Sequence, residues 1–334
     1  MKASFLETRD AQDLLESPLP SMPWVVEDLV GSGLTLLGGS PKIGKSWLVL
    51  QLAYCVSEGI PFLEHATCEA EVLYLCLEDT FSRIQQRLFL LADEAKPTLH
   101  FAIVAQKISN GLFGQIDSFL NEKPNTKLVI VDTLQMVRQS SAQSNIYALD
   151  YADANALKNF ADEHEIAILA VHHTRKGSKQ DNVFDKISGT NGLMGAADTT
   201  LVLDKSNYYG GNATLSVTGR DIEMAEYQLA FKNCKWKLVA QTSADELRER
   251  EIPSCVLQVL DFMTTHPGNW EGTSSDLLEV ARIDNVASNA LPKYLNEHHP
   301  FMEEHGIQYA RKKTSSARLI ILQKIQYIEP FIDE

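Results

Sequence analysis

The chain has 334 residues, 44% of them hydrophobic, and 30 basic against 44 acidic side chains give a net charge of −14. That length buries a sizeable core with room for one large and one small domain, and the acidic surplus excludes wrapping of nucleic acid by the whole surface, so any such contact is local. Cys55, Cys68, Cys76, Cys234 and Cys255 form no C-x-x-C pair, and no run approaches the ~18 apolar residues of a membrane span; a reducing cytoplasm without membrane contact is the expected location.

After a polar lead-in, Pro18, Pro20 and Pro23 mark an extended approach to the first buried strand, residues 34–37. Next comes Gly39-Ser40-Pro41-Lys42-Ile43-Gly44-Lys45-Ser46, which matches G-x-x-x-x-G-K-[ST] at every fixed position, and then an apolar helix over 47–57 opened by Trp47. Strand, glycine loop and helix in that order build a phosphate cradle. The glycines let backbone N–H groups turn toward one centre at a helix N-terminus. Lys45 is expected to reach the β- and γ-phosphates of ATP, and Ser46 to hold Mg²⁺.

Strands are further expected over 71–77, 99–104, 128–132, 167–172, 199–203 and 213–218, with helices over 80–92, 114–122 and 147–164. Such alternation predicts an α/β fold with a mostly parallel sheet. Glu78, at the end of the second strand, is the candidate that positions the attacking water; its neighbour Asp79 either shares that role or caps the helix at Thr80. Arg83 and Arg87 share a face of that helix, and Arg87 is assigned to the nucleotide set. Leu128-Val129-Ile130-Val131-Asp132 ends in a carboxylate placed to hold Mg²⁺ through water. His172 and His173 end another apolar strand, where period two lets only one face the crevice; His173 is the candidate γ-phosphate sensor. Between 173 and 193 the chain turns polar and carries Arg175, Lys176, Lys179 and Lys186.

A crowd of charges near 243–251 marks a domain boundary, giving an ATPase domain over 1–247 and a small domain over 248–334. The latter begins with an apolar helix, 255–263. A capping box, Thr273-Ser274-Ser275-Asp276, precedes a second helix, and a third runs over 291–298. Strands over 306–310 and 318–322 flank Arg311, Lys312 and Lys313. The pattern is that of a winged-helix-like α+β domain with a basic wing tip, suited to a phosphate backbone or to a protein partner.

Together these pieces resemble the RecA-like ATPases, and among them the RepA-type replicative helicases of plasmids, phages and integrating elements. The resemblance covers roughly residues 20–240. It rests on Pro23-Trp24-Val25-Val26-Glu27, the loop from Gly39 to Ser46, Leu73-Tyr74-Leu75-Cys76-Leu77-Glu78-Asp79 with Arg87, Val129-Ile130-Val131-Asp132-Thr133, Val171-His172-His173-Thr174-Arg175-Lys176, and Gly219-Arg220-Asp221. A glutamate on a strand between the phosphate loop and the Mg²⁺ carboxylate separates this group from ATPases that place it beside that carboxylate.

The resemblance implies a homo-oligomeric ring, usually a hexamer, with ATP between subunits. It implies an arginine finger at Arg220, although Thr218 stands where DnaB-like chains often have lysine. It also implies single-stranded DNA contact by the loops after Asp132 and His173, including Lys176, Lys179 and Lys186. The expected activity is ATP hydrolysis coupled to movement on single-stranded DNA during replication. A non-motor ATP-binding switch or loader is the alternative.

Overall fold

The structure, a computed structural model, describes residues 8–18, 23–138, 146–174, 183–186, 192–205, 211–315 and 317–325. It divides into two compact units, Met1–Ser243 and Ala244–Glu334.

In the first unit a short helix, α1 (Ala11–Glu16), precedes a small antiparallel pair, β1 (Trp24–Val26) and β2 (Val30–Gly31). The chain then runs through β3 (Gly33–Gly39), α2 (Lys45–Glu58), β4 (Glu71–Cys76), α3 (Phe81–Leu91), β5 (Leu99–Ala102), α4 (Leu112–Glu122), β6 (Thr126–Asp132), α5 (Leu134–Val137), α6 (Ile146–His164), β7 (Ala167–His173), α7 (Gly192–Ala196) and β8 (Thr199–Asp204). A meander follows, of β9 (Asn212–Gly219), β10 (Ala225–Lys232) and β11 (Lys235–Thr242).

Among the described residues these strands form one nine-stranded sheet in the order β11-β10-β9-β8-β3-β7-β6-β4-β5. From β8 to β5 every pairing is parallel, and from β8 to β11 every pairing is antiparallel. This is the mostly parallel α/β sheet of a RecA-like core.

Period two sorts each central strand between two apolar layers. Leu128 and Ile130 of β6 join one core with Val49 and Val56 of α2, whereas Val129 and Val131 join the other with Ile116 of α4 and Leu157 of α6. On β7, Leu169 and Val171 face the α2 layer, and Ile168 and Ala170 the α6 layer. Each fully buried aliphatic side chain contributes about 1.5–3 kcal/mol, which is why continuous apolar runs take the centre.

The hairpin β10–β11 is absent from the strands expected above, although Ala225, Tyr227 and Leu229 are buried in alternation along β10. Its turn is made by Asn233 and Cys234, both at positive φ, rather than by a glycine pair that would announce a hairpin.

The second unit contains α8 (Ala244–Glu251), α9 (Ser254–Thr265), β12 (Trp270–Thr273), α10 (Ser274–Val280), α11 (Leu291–Glu297), α12 (His299–Glu304), β13 (Ile307–Lys313) and β14 (Arg318–Lys324). Val256, Val259, Leu277, Leu291, Leu295 and Leu322 form its core. The Thr273–Asp276 capping box forms, with Asp276 accepting from the Thr273 backbone N–H at 2.8 Å. Strand β12, not anticipated from sequence, makes the sheet three-stranded in the order β12-β14-β13. Arg311, Lys312 and Lys313 lie exposed within edge strand β13 and not in the turn beyond it.

Candidate nucleotide site

Parallel packing aligns the C-terminal ends of the strands. Gly39 pairs with His173 and Leu203, Cys76 with Asp132, and Asp132 with Val171, so the loops after β3, β4, β6 and β7 emerge along one edge. There Pro41, Lys42, Gly44, Lys45, Ser46 and Trp47 line a cavity of about 410 Å³ together with Glu78, Arg87, Asp132, Thr133 and His173. Gly39 and Ser40 lend their carbonyls to the loop, and Ile43 turns into the core, 6% exposed.

Gly44 caps α2 at φ +108°, and a Cβ there would stand 2.8 Å from the Trp236 ring, so space and backbone both require glycine. Trp236 Nε1 donates to Gly44 O at 3.2 Å, and Gln51 exchanges hydrogen bonds with the Trp236 backbone at 2.9 and 2.8 Å. The β10–β11 hairpin therefore braces the loop, a role that nothing in the run Lys235-Trp236-Lys237 signals.

Lys45 is buried, and its Nζ donates to Gly39 O at 2.6 Å and Ser40 O at 3.0 Å while standing 3.1 Å from His173 Nδ1. Burial pushes its pKa down to about 8, against the opposing pull of Asp132 and Glu78. Asp132 is held by the Tyr74 hydroxyl at 2.9 Å and by the Ser46 hydroxyl, yet burial is the largest influence and raises its pKa. Tyr74, completely buried, is pushed well above its ordinary range and stays a proton donor at Asp132.

Glu78 Oε1 accepts from Thr133 Oγ1 at 2.9 Å. Its neighbour is committed elsewhere: the two Asp79 oxygens pair with Arg83 at 2.8 Å and Arg87 at 2.6 Å. Arg87 also lies 5.6 Å over the Trp47 ring, joining two residues of the cavity wall. Tyr74 and Thr133 support the carboxylates from a buried strand and a strand end, positions that look purely structural in sequence.

His172 faces the α6 layer, opposite His173. Its Nδ1 is buried without a partner among the described residues, and desolvation lowers its pKa to about 4.

Arg220 does not join the cavity. Antiparallel pairing of β9 with β8 sets Gly219 against Thr199, and Thr199 follows Asp198, whose N–H donates to Leu34 O. Arg220 thus sits at the start of β3, whereas the phosphate loop leaves its end. Seven residues of extended strand separate the edges by roughly 20 Å, more than an arginine side chain spans.

Lys176 and Lys179 lie outside the described residues, and Lys186 ends a short 3₁₀ turn, Val183–Lys186. Phe184 in that turn is buried against Val202 and offers no stacking platform.

A family model described as AAA domain matches residues 2–179, more than half of the chain. The chain belongs to this AAA domain family. DNA repair protein RadA of Rickettsia prowazekii is 28% identical over 190 residues, covering 54% of this chain and 38% of that protein. RadA of Chlamydia trachomatis is 25% identical over 261 residues, covering 76% and 50%. This AAA domain chain thus spans two-fifths to half the length of these curated relatives. Among solved structures, a helicase ATPase domain superposes with a TM-score of 0.53 at 16% identity, covering 63% of this chain and 85% of that one, which shows a shared fold.

The AAA domain chain is accordingly a RecA-like P-loop ATP hydrolase, a class that uses ATP with Mg²⁺. The donor set suits a hard cation: a serine hydroxyl bonded to a buried carboxylate beside a lysine. No helix among the described residues is long and apolar enough to cross a membrane.

Proposed function

We propose that the protein is the Mg²⁺-dependent ATPase of a ring-forming DNA motor, of the kind that replicates plasmids, phages or mobile elements. The observation that carries this reading is the separation of functional groups: Lys45, Glu78, Asp132 and His173 share one cavity, whereas Arg220 lies at the far edge of the same sheet. A site split in this way is completed by a second subunit.

In the proposed cycle the phosphate loop, with Arg87 and Trp47 beside it, holds the nucleotide, and Lys45 gives up its carbonyl partners to reach the β- and γ-phosphates. Ser46 and Asp132 would hold Mg²⁺, which supplies charge neutralisation on the phosphates. Glu78, oriented through one oxygen by Thr133, uses the other to orient water and accept its proton. Asp79 is a poorer base because two guanidinium groups occupy it. His173 contacts the γ-phosphate and passes its presence to the loop after β7. Arg220 of the neighbour stabilises charge at the transition state.

The second unit, read as winged-helix-like over 248–334, presents Arg311, Lys312 and Lys313 to a DNA backbone. The net charge of −14 favours a second version, in which the chain is a switch or loader gripping a protein partner. ATPase rates with and without single-stranded DNA, on material of known oligomeric mass, decide between them. Stimulation by DNA together with strand displacement is the expected result; hydrolysis indifferent to DNA overturns the motor.

A further inference from the structure

Asp198 stands just before β8, at the edge of the sheet away from the cavity. Its carboxylate gathers three donors from distant parts of the chain. Oδ2 accepts from Leu34 N at 2.9 Å, Lys158 Nζ reaches both oxygens at 2.7 Å, and Arg220 Nη1 lies 3.4 Å from Oδ1. The backbone repeats these links: Asp198 N donates to Leu34 O and Arg220 N to Asp198 O, each at 2.9 Å. Gly33 makes room, because it adopts φ +103° and a Cβ there would sit 2.4 Å from Asp198 Oδ2.

The Arg220 side chain is half exposed, and a second contact, Nη2 to Gly195 O at 3.4 Å, aims it further. A long exposed side chain samples many rotamers, and two directional contacts from one turn restrict them. Because Lys158 takes the shorter bonds to Asp198, Arg220 is oriented without being locked. Leu34 belongs to β3, the strand that delivers Gly39 and the phosphate loop. One carboxylate therefore connects the arginine that a subunit offers outward to the strand carrying its own nucleotide.

We propose that Asp198 is a positioning residue for Arg220. It presets the guanidinium for the neighbour's γ-phosphate and ties its placement to β3 of its own subunit. The inference rests on the reading of Arg220 as a finger acting in trans.

The test is Asp198→Asn, which keeps an oxygen for the Leu34 N–H and removes the charge. The expected result is a kcat about tenfold lower with KM for ATP changed less than about twofold. Mixing with Lys45→Ala subunits should restore turnover, since the asparagine variant keeps a sound pocket and its partner supplies a well-held Arg220. Unchanged kcat overturns the proposal, as does failed restoration in that mixture while Arg220→Ala mixed with Lys45→Ala recovers. If that second mixture also fails, the finger reading itself falls. Should Asp198→Asn not fold, as judged by its thermal melt, Lys158→Met serves. It leaves the Leu34 bond in place and puts the whole Asp198 charge on Arg220, so kcat falls several-fold and recovers with Lys45→Ala; wild-type turnover there overturns the proposal.

Discussion

The two edges of the central sheet carry similar residues in opposite circumstances. At the C-terminal edge Lys45, Asp132 and Glu78 are drawn into a cavity, and burial shifts both Lys45 and Asp132 toward their neutral forms. At the N-terminal edge Lys158, Asp198 and Arg220 form an ion cluster with Arg220 half exposed. Strand direction produces the contrast: loops leaving β3, β4, β6 and β7 converge on one side, whereas the antiparallel β9 returns Arg220 to the other. The first edge is built to receive a charged ligand, and the second to present a cation outward.

If the edges have these separate duties, substitutions at them separate binding from turnover. Lys45→Ala should weaken ATP binding about a hundredfold or more, read by calorimetry, because the buried ammonium faces the phosphates. Glu78→Gln should keep binding and lower kcat about 10²- to 10⁴-fold, the range of a general base; equal hydrolysis in both proteins would move the base to another residue. Arg220→Ala should bind ATP as the wild type does.

A smaller effect concerns pH. Lys45, with its pKa near 8, is charged below that value, and bound phosphate holds the proton more tightly. ATP affinity should therefore fall as pH rises above 8, by at most about tenfold per unit. Lys45→Arg, charged throughout, should flatten the profile.

The smallest effect is on stability in acid. His172 is neutral in the fold to about pH 4 and takes up a proton near 6.5 when unfolded. The unfolded chain thus binds more protons as pH drops from 6.5 to 4, and stability falls by up to about 1.4 kcal/mol per unit. In His172→Asn, denaturant titrations should lose that slope.

Legibility in the sequence followed the range of the interactions. The phosphate loop, the apolar strand before Asp132 and the alternation at His172 and His173 are local patterns, and period two correctly turned only His173 toward Lys45. Tyr74, Thr133, Trp236 and Asp198 act across 58, 55, 192 and 164 residues of chain, where no spacing rule applies. The β10–β11 hairpin was missed for the same reason: its value lies in Trp236 against Gly44, a contact made only in three dimensions.

The contrast between the edges meets its most direct test in mixed assemblies of Lys45→Ala and Arg220→Ala subunits, each inactive alone. One has a sound arginine and the other a sound pocket, so a fraction of interfaces in the mixture is complete. ATP turnover of the mixture well above that of either variant is the result predicted. Turnover that stays at the level of the separate variants, in material shown by mass to be co-assembled, would contradict a site shared between two subunits.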